Sequence, residues 1–461
     1  MSKKISLVVA LVGMCALSLF LLSCGSSSSR PSGLLYVLTQ GSNGVGNNVS
    51  SFAIDLNSGN LSLVNSNAST CIPAGGSCGL PLDILLDPTG AAAFVLNQGI
   101  PSASVAPTIY SYTVNSNGSL GAPILAQTLT SGDTPVAMAR DAAGQFLFVI
   151  DQGSYPSPGY PAPSPTNPTC PHVPTSATDV CPSISVFAMQ SGSTSLTLAS
   201  GSPFYLSKIP SALSAITFTP PGFTTAQEIL FVTNNLDICT ANCVLPPHSD
   251  NTVSVYTVSS SGVLTEQPNS PYAVAAVDPI SVLAVNTYPA GENTGGLFVY
   301  VGNEDANGGH LYPFQVCTVV NAVCKTQDVA NALMTPLETC SQGICIDVSA
   351  TSAGQNPVAM LVDPTNSFLY VVSEGSSQVF GFRIGTTAGT LTALSPANES
   401  SQGSQPVSIA LHPSVNNTGQ FLFVSNTSGN IAGFTLNTTS GSMSSPTSTV
   451  APATPSGLAV R

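Results

Sequence analysis

The sequence predicts an all-β chain: a seven-bladed β-propeller of four-stranded antiparallel blades, closed by a C-terminal strand that pairs into blade one. Three observations predict it. A strand phrase recurs along the chain, its two ends carry complementary parts of that phrase, and small polar turn residues fill most of the space between copies. The phrase is a Pro, an apolar run, a turn, a second apolar strand and a polar end. Alternation with a period of two, β-branched and aromatic enrichment, and Asn-Gly or Asp-Pro turns mark such runs as strands and hairpins.

In chain order, residues 1–23 read as a lipoprotein signal peptide. Lys3 and Lys4 precede the apolar run Ile5 to Leu22, and Leu21-Leu22-Ser23-Cys24-Gly25 resembles a bacterial lipobox, in which the cysteine is lipidated and becomes the mature N-terminus. Residues 24–32 then form the lipidated Cys24 and a flexible tether, and residues 33–461 the propeller. The expected partner is a membrane, held through that N-terminal lipid anchor. Gly25 is not an Asp-type retention signal, so an exported protein at the outer membrane, on its periplasmic or surface side, is expected rather than one at the inner membrane.

The mature domain opens with only the second half of the phrase, Leu34 to Thr39. Full copies begin at Pro81 (through Asp87-Pro88-Thr89-Gly90 to Asn97), Pro135 (to Asp151), Pro357 (to Ser373) and Pro406 (to Asn426). Looser copies hold Ile229 to Asn234 and Leu297 to Asn303. Third strands follow, among them Thr108 to Val114, Ser183 to Phe187, Thr252 to Val258 and Gln378 to Phe382, each leading through a turn to a short fourth strand. The last segment, Pro455 to Val460, repeats the first strand and stops. Pairing it beside Leu34 to Thr39 gives seven blades and removes the free edges of an open array. The 429 residues from 33 to 461 give about 61 per blade; such repeats usually need ~40–50, which leaves room for insertions.

Composition narrows function. Charged residues are 6% of the chain and the formal charge is −13, with Arg30, Arg140, Lys208, Lys325, Arg383 and Arg461 the only basic side chains beyond Cys24. Nucleic acid requires clustered cations, and phosphorylated ligands are disfavoured for the same reason. Of twelve cysteines, setting aside Cys15 and Cys24 leaves ten in close pairs: Cys71 with Cys78, Cys170 with Cys181, Cys239 with Cys243, Cys317 with Cys324, and Cys340 with Cys345. Each pair lies among turn residues, so five loop disulfides in an oxidising compartment are expected. No two pairs form a zinc frame, and neither metal nor cofactor is expected. No GxSxG, HExxH, Walker A or GxGxxG motif occurs.

The strand phrase is similar to YVTN-type repeats, and the arrangement resembles the lactonase seven-bladed propeller family related to 6-phosphogluconolactonase. The resemblance covers nearly the whole mature chain. It implies the fold, but no family catalytic motif can be matched to residues here, and fold alone does not fix activity. The absence of Trp argues against the Trp-Asp type of propeller.

Chain direction sorts the loops. Connections between strands two and three share a face with those from strand four to the next blade, and most long insertions fall there: 152–182, 236–251 and the stretches around Cys71–Cys78 and Cys340–Cys345. The stretch around Cys317–Cys324 lies on or near the opposite, short-turn face. Lengthened loops on one end of a rigid scaffold are where ligands usually bind. The tether should leave from the short-turn face, turning the decorated face outward. Strand two ends there in polar residues, giving a candidate ligand ring of Gln40, Gln98, Gln152, Asn235, Glu304, Glu374 and Asn426; the alternative is that they only satisfy strand-end backbone. Glu304 with His310 is the candidate catalytic acid–base pair. His412 replaces the Asp of the Asp-Pro turn and is expected to be structural, as is Arg383. Two functions remain open: an envelope module binding a glycan or protein ligand, favoured by the missing catalytic motif, and a lactonase-type hydrolase acting on an uncharged sugar lactone.

Overall fold

The computed structural model describes residues 33–41, 47–71, 78–100, 105–129, 134–153, 181–219, 225–237, 249–275, 278–288, 295–304, 308–317, 334–341, 344–414 and 419–461. Every regular element among them is a β-strand, and no helix among the described residues is long and apolar enough to cross a membrane. The signal segment and tether, and with them Cys24, lie outside the described residues.

The strands form seven antiparallel sheets around an axis, plus one small hairpin. Blade one is built from both ends of the chain: Thr454–Val460 is its innermost strand, followed outward by Leu34–Gln40, Asn48–Ile54 and Leu61–Ser69. The closure partners are Leu35 with Val460, Val37 with Leu458 and Gln40 with Thr454. The remaining innermost strands are Pro81–Leu86, Pro135–Arg140, Lys208–Phe218, Pro279–Asn286, Pro357–Val362 and Pro406–His412, each in contact with the next and the last with Thr454–Val460. The ring is therefore closed as expected.

Second strands are buried throughout because each is covered on both faces. The alternation sends Leu34, Tyr36 and Leu38 into a cluster shared with blade two, and Leu35 and Val37 into one shared with blade seven. The same division recurs around the ring, so seven apolar clusters fill the seven gaps between blades. Burial between blades, rather than within them, holds the molecule together.

Two recurring polar devices fix this packing. Asp363 in the first turn accepts hydrogen bonds from the amides of Thr365, Ser367 and Phe368, and Asp87 accepts equivalent bonds from Thr89 and Ala92. His412 takes that position in blade seven, where it is 2% exposed and lies beside Phe421, with ring centroids 6.5 Å apart. Its structural role follows from that burial. The second device is the Tyr of the strand phrase. Tyr36, Tyr300 and Tyr370 donate to the carbonyls of Gly118, Gly389 and Gly441, in the third-to-fourth-strand turn of the following blade. Arg383 stacks over Phe368, 4.6 Å from its centroid, bracing the same contact.

The outer strands depart from expectation. In blades three, four and five the fourth strand is split, as in Leu196–Leu198 with Phe204–Tyr205 and Leu264–Glu266 with Tyr272–Ala273. In blade five the halves are Met334–Pro336 and Thr351–Gly354, and between them stands a hairpin of Glu338–Ser341 and Ile344–Asp347. The sequence reads that stretch as a loop of the decorated face. It is instead a strand pair inserted into the rim, where a blade's outer edge is free to extend.

Cys71 and Cys78 form a disulfide with Cα atoms 5.7 Å apart. Cys181 and Cys317 are also disulfide-bonded, while their expected partners Cys170 and Cys324, and the whole pair Cys239 and Cys243, lie outside the described residues. Cys340 and Cys345 are directly opposed across the inserted hairpin.

Candidate functional site at the channel mouth

Every innermost strand carries a Pro at or near its start, and register makes the mouth positions equivalent. Pro455, Pro81, Pro135, Pro210, Pro279, Pro357 and Pro406 pair with Thr39, Asn97, Asp151, Asn234, Asn303, Ser373 and Asn426. This inner polar ring is buried, none of it more than 3% exposed. It fastens connections into each blade: Asn97 donates to Thr70 O and Asn426 to Ser401 O, at 3.0 and 2.8 Å. The next residue outward forms the rim. Amides of Gln98, Gln152, Glu304, Glu374 and Thr427 donate to the carbonyls of the residues just before the blade prolines. The rim is thus Gln40, Gln98, Gln152, Asn235, Glu304, Glu374 and Thr427. Asn426 belongs to the buried ring, one residue inside the position the sequence assigns it, because pairing with Pro406 fixes Asn426 within the polar run Ser425-Asn426-Thr427 and leaves Thr427 at the rim.

Past each Pro the register slips by one residue, a β-bulge repeated in all seven blades. The bulge turns side chains toward the next blade, where they cap the unpaired inner edge. Gln40 and Ser456 donate to Pro81 O, Gln152 to Pro210 O, and Ser211 to Pro279 O. Ser408 accepts from the Leu458 amide and Asp83 from the Met138 amide, at 3.1 and 3.2 Å. This girdle occupies Gln40 and Gln152. Gln98, Asn235 and Glu374 are half-buried and Glu304 is exposed, so the mouth left for a ligand runs through those rim positions.

His310 lies on strand three of blade five, opposite Asn303, and its amide donates to Asn303 Oδ1 at 3.2 Å. Glu304 follows Asn303 directly, which places the candidate pair at one corner of the mouth.

Asp83 is a further candidate, one that the strand phrase does not single out. It stands two residues past Pro81, where the other blades have Ser456-Gly457, Ala137, Ala212, Ser281, Ala359 and Ser408. One carboxyl therefore faces a level otherwise lined by small residues. Its side chain is half-buried, and its carboxylate oxygens accept from the Ile84 amide at 2.8 Å and from the Met138 amide of the next blade at 3.2 Å. Burial pushes its pKa up to about 6, against the pull of hydrogen bonds from the Met138 and Ile84 amides. A charge inside an otherwise apolar first strand was the available signal.

A second perturbed acid marks the opposite mouth. Burial raises Glu228 to about 7, opposed by a hydrogen bond from Thr217 and reinforced by Asp141. Its Oε1 is buried without a partner. Burial lowers Arg140 from the ordinary guanidinium value, with Asp141 and Asp87 opposing that shift. Among the described residues no group of three or more His, Cys, Asp or Glu is placed to hold a metal ion.

Residues 339–460 match the family model described as "Lactonase, 7-bladed beta-propeller". The resemblance to the lactonase propellers is borne out. The matched span takes in blades six and seven and the strand that closes blade one. The ring is similar in structure to a periplasmic gluconolactonase of Pseudomonas aeruginosa, at 16% identity and TM-score 0.56 over 93% of this chain and 98% of that one. A putative 6-phosphogluconolactonase from Bacteroides fragilis gives 14% identity and TM-score 0.56 over 94% and 99%. A protein from Lactobacillus plantarum gives 14% and 0.57 over 93% and 99%. At these identities the likeness speaks for the fold. No curated protein matches the chain.

Proposed function

We propose that this lactonase-type propeller hydrolyses an uncharged sugar lactone at the decorated mouth of its channel, with Asp83 as general base. The observation that carries the reading is the lone carboxyl of the channel wall, raised to about 6 by burial and thus poised near neutral pH. Water attacks the lactone carbonyl carbon and gives its proton to Asp83. The ring carbon–oxygen bond then breaks, and the proton passes to the departing oxygen, leaving the open hydroxy acid. The Gln98 amide on the same blade, with Asn235 and Glu374 on the rim, supplies groups for sugar hydroxyls. The net charge of −13 disfavours phosphorylated lactones. An exported location with a lipid on Cys24 goes with this reading and agrees with the disulfides.

Purified protein given glucono-δ-lactone should show turnover that rises with pH through about 6. Asp83→Asn should lower kcat by about 10²-fold or more, the usual size of a general-base contribution. No turnover of any uncharged lactone, or an unchanged rate in Asp83→Asn, sinks the proposal. The binding-module reading, favoured by the absence of a recognisable catalytic motif in the sequence, would then take its place, with Glu304 and Glu374 as ligand contacts.

A further inference from the structure

The joint between blades two and three differs from the joints on either side of it. Where blade one meets blade two, Gln40 and Ser456 donate to Pro81 O, and where blade three meets blade four, Gln152 donates to Pro210 O. Gln98 holds the position equivalent to Gln40 and Gln152, and its counterpart carbonyl is Pro135 O. That bond is not made. Among the described residues the Gln98 side chain has no hydrogen bond, and no side chain donates to Pro135 O. Thr134, the residue before Pro135, adds a buried hydroxyl without a partner. The backbone behind Gln98 is nonetheless fixed: its amide donates to Leu80 O at 2.8 Å, the Gly99 amide donates to Cys78 O at 3.1 Å, and Cys78 is bonded to Cys71. Leu80 itself is 38% exposed beside it. Uncommitted polar groups on a held backbone are what a preorganised binding site requires.

We infer that this joint is the specificity subsite of the proposed lactonase, and that it selects a lactone carrying free ring hydroxyls. The inference rests on the reading of Asp83 as the base. Asp83 belongs to the same joint, because its carboxylate accepts the Met138 amide of blade three. It pairs with Leu96, two residues before Gln98. At about 3.3 Å per residue, the level of Gln98 stands about 7 Å from that of Asp83 along the strand. A hexose lactone spans such a distance, so a carbonyl carbon at Asp83 brings its far hydroxyls level with Gln98, Thr134 and Pro135. An amide donates and accepts, a threonine hydroxyl does either, and a proline carbonyl accepts. Neighbouring hydroxyls of a polyol, each both donor and acceptor, match that set. The exposed flank of Leu80 suits the C–H face of the ring. A site built to bond substrate hydroxyls discriminates against an analogue lacking them, since its own polar groups are then left unpaired.

Turnover of glucono-δ-lactone is compared with that of δ-valerolactone, the same ring without hydroxyls, in the parent protein, Gln98→Leu and Thr134→Val. Neither substitution breaks a side-chain hydrogen bond within the described residues, so melting temperatures should hold. For the hydroxylated lactone KM should rise about 10-fold in Gln98→Leu and several-fold in Thr134→Val, with kcat within about twofold, the pattern of lost ground-state binding. The kinetics of δ-valerolactone should not change in either variant. Equal losses on both lactones, parent values throughout, or turnover of δ-valerolactone alone overturn the subsite and leave Asp83 as the base. If the parent opens neither lactone the lactonase reading falls, and calorimetric titration with glucono-δ-lactam, which carries the same hydroxyls and resists hydrolysis, then tests the subsite by itself. Binding weakened about 10-fold in Gln98→Leu supports it; no binding, or equal binding by parent and variant, overturns it.

Discussion

At the scale of single residues, burial and hydrogen bonding have shifted acids in opposite directions, and pH should expose it. Burial pushes Asp87 upward, but hydrogen bonds from Thr89, Ala92 and Gly192 outweigh it and hold the carboxyl below its usual range. Asp83 and Glu228 go the other way, to about 6 and about 7, because nothing offsets their desolvation in full. An acid whose folded pKa is raised favours the folded state most while protonated. Its contribution is therefore present below the unfolded value and lost as pH climbs through the folded one. Thermal stability should decline from pH ~4 to ~7, with Asp83 and Glu228 each contributing on the order of 1 kcal/mol after screening by channel water. Asp83→Asn should flatten the lower part of that decline and Glu228→Gln the upper part, read from melting curves across the range. A flat wild-type profile would contradict both assignments. Asp83 was readable in the sequence as a charge in an apolar strand, but its isolation from solvent was not, since that depends on six other blades.

Between elements, the contact that repeats is a second-strand aromatic against a glycine of the neighbouring turn. Gly441 has φ of +76°, and a Cβ there would lie 2.2 Å from Phe368. Tyr370, two residues on from Phe368, donates to the same glycine's carbonyl at 2.7 Å. Left-handed backbone and close approach thus both demand glycine. Gly441→Ala should cost about 2–4 kcal/mol in denaturant unfolding, whereas Tyr370→Phe should cost about 1 kcal/mol by losing one hydrogen bond. Equal effects would mean that the hydrogen bond, not the packing, governs the joint. The Tyr and the turn glycine were both plain in the sequence as parts of one phrase. Their partnership across blades was not, because the two residues lie 71 positions apart.

For the whole molecule, closure decides stability. Thr454–Val460 covers the inner edge of Leu34–Gln40 and touches the innermost strands of blades seven and two. Removing residues 454–461 should leave an unpaired edge facing the channel and strip Leu458 and Ala459 from two inter-blade clusters. The truncated chain should lose its cooperative melting transition and aggregate, as judged by calorimetry and size-exclusion chromatography. A truncated ring that melts like the parent would show that closure is dispensable.

By itself the sequence determined the strand phrase, the number of blades, the closing strand and the pairing of Cys71 with Cys78, because period-two alternation and turn residues are local properties that each segment carries alone. The tertiary structure decided which polar residues at the mouth stay free. Gln40 and Gln152 look the same in sequence as Gln98, yet hold the neighbouring blade's carbonyls. It also shifted Asn426 into the buried ring and turned the Cys340–Cys345 stretch into a hairpin. These outcomes depend on which blade stands beside which, and a segment's own residues carry no record of the neighbour that will desolvate them.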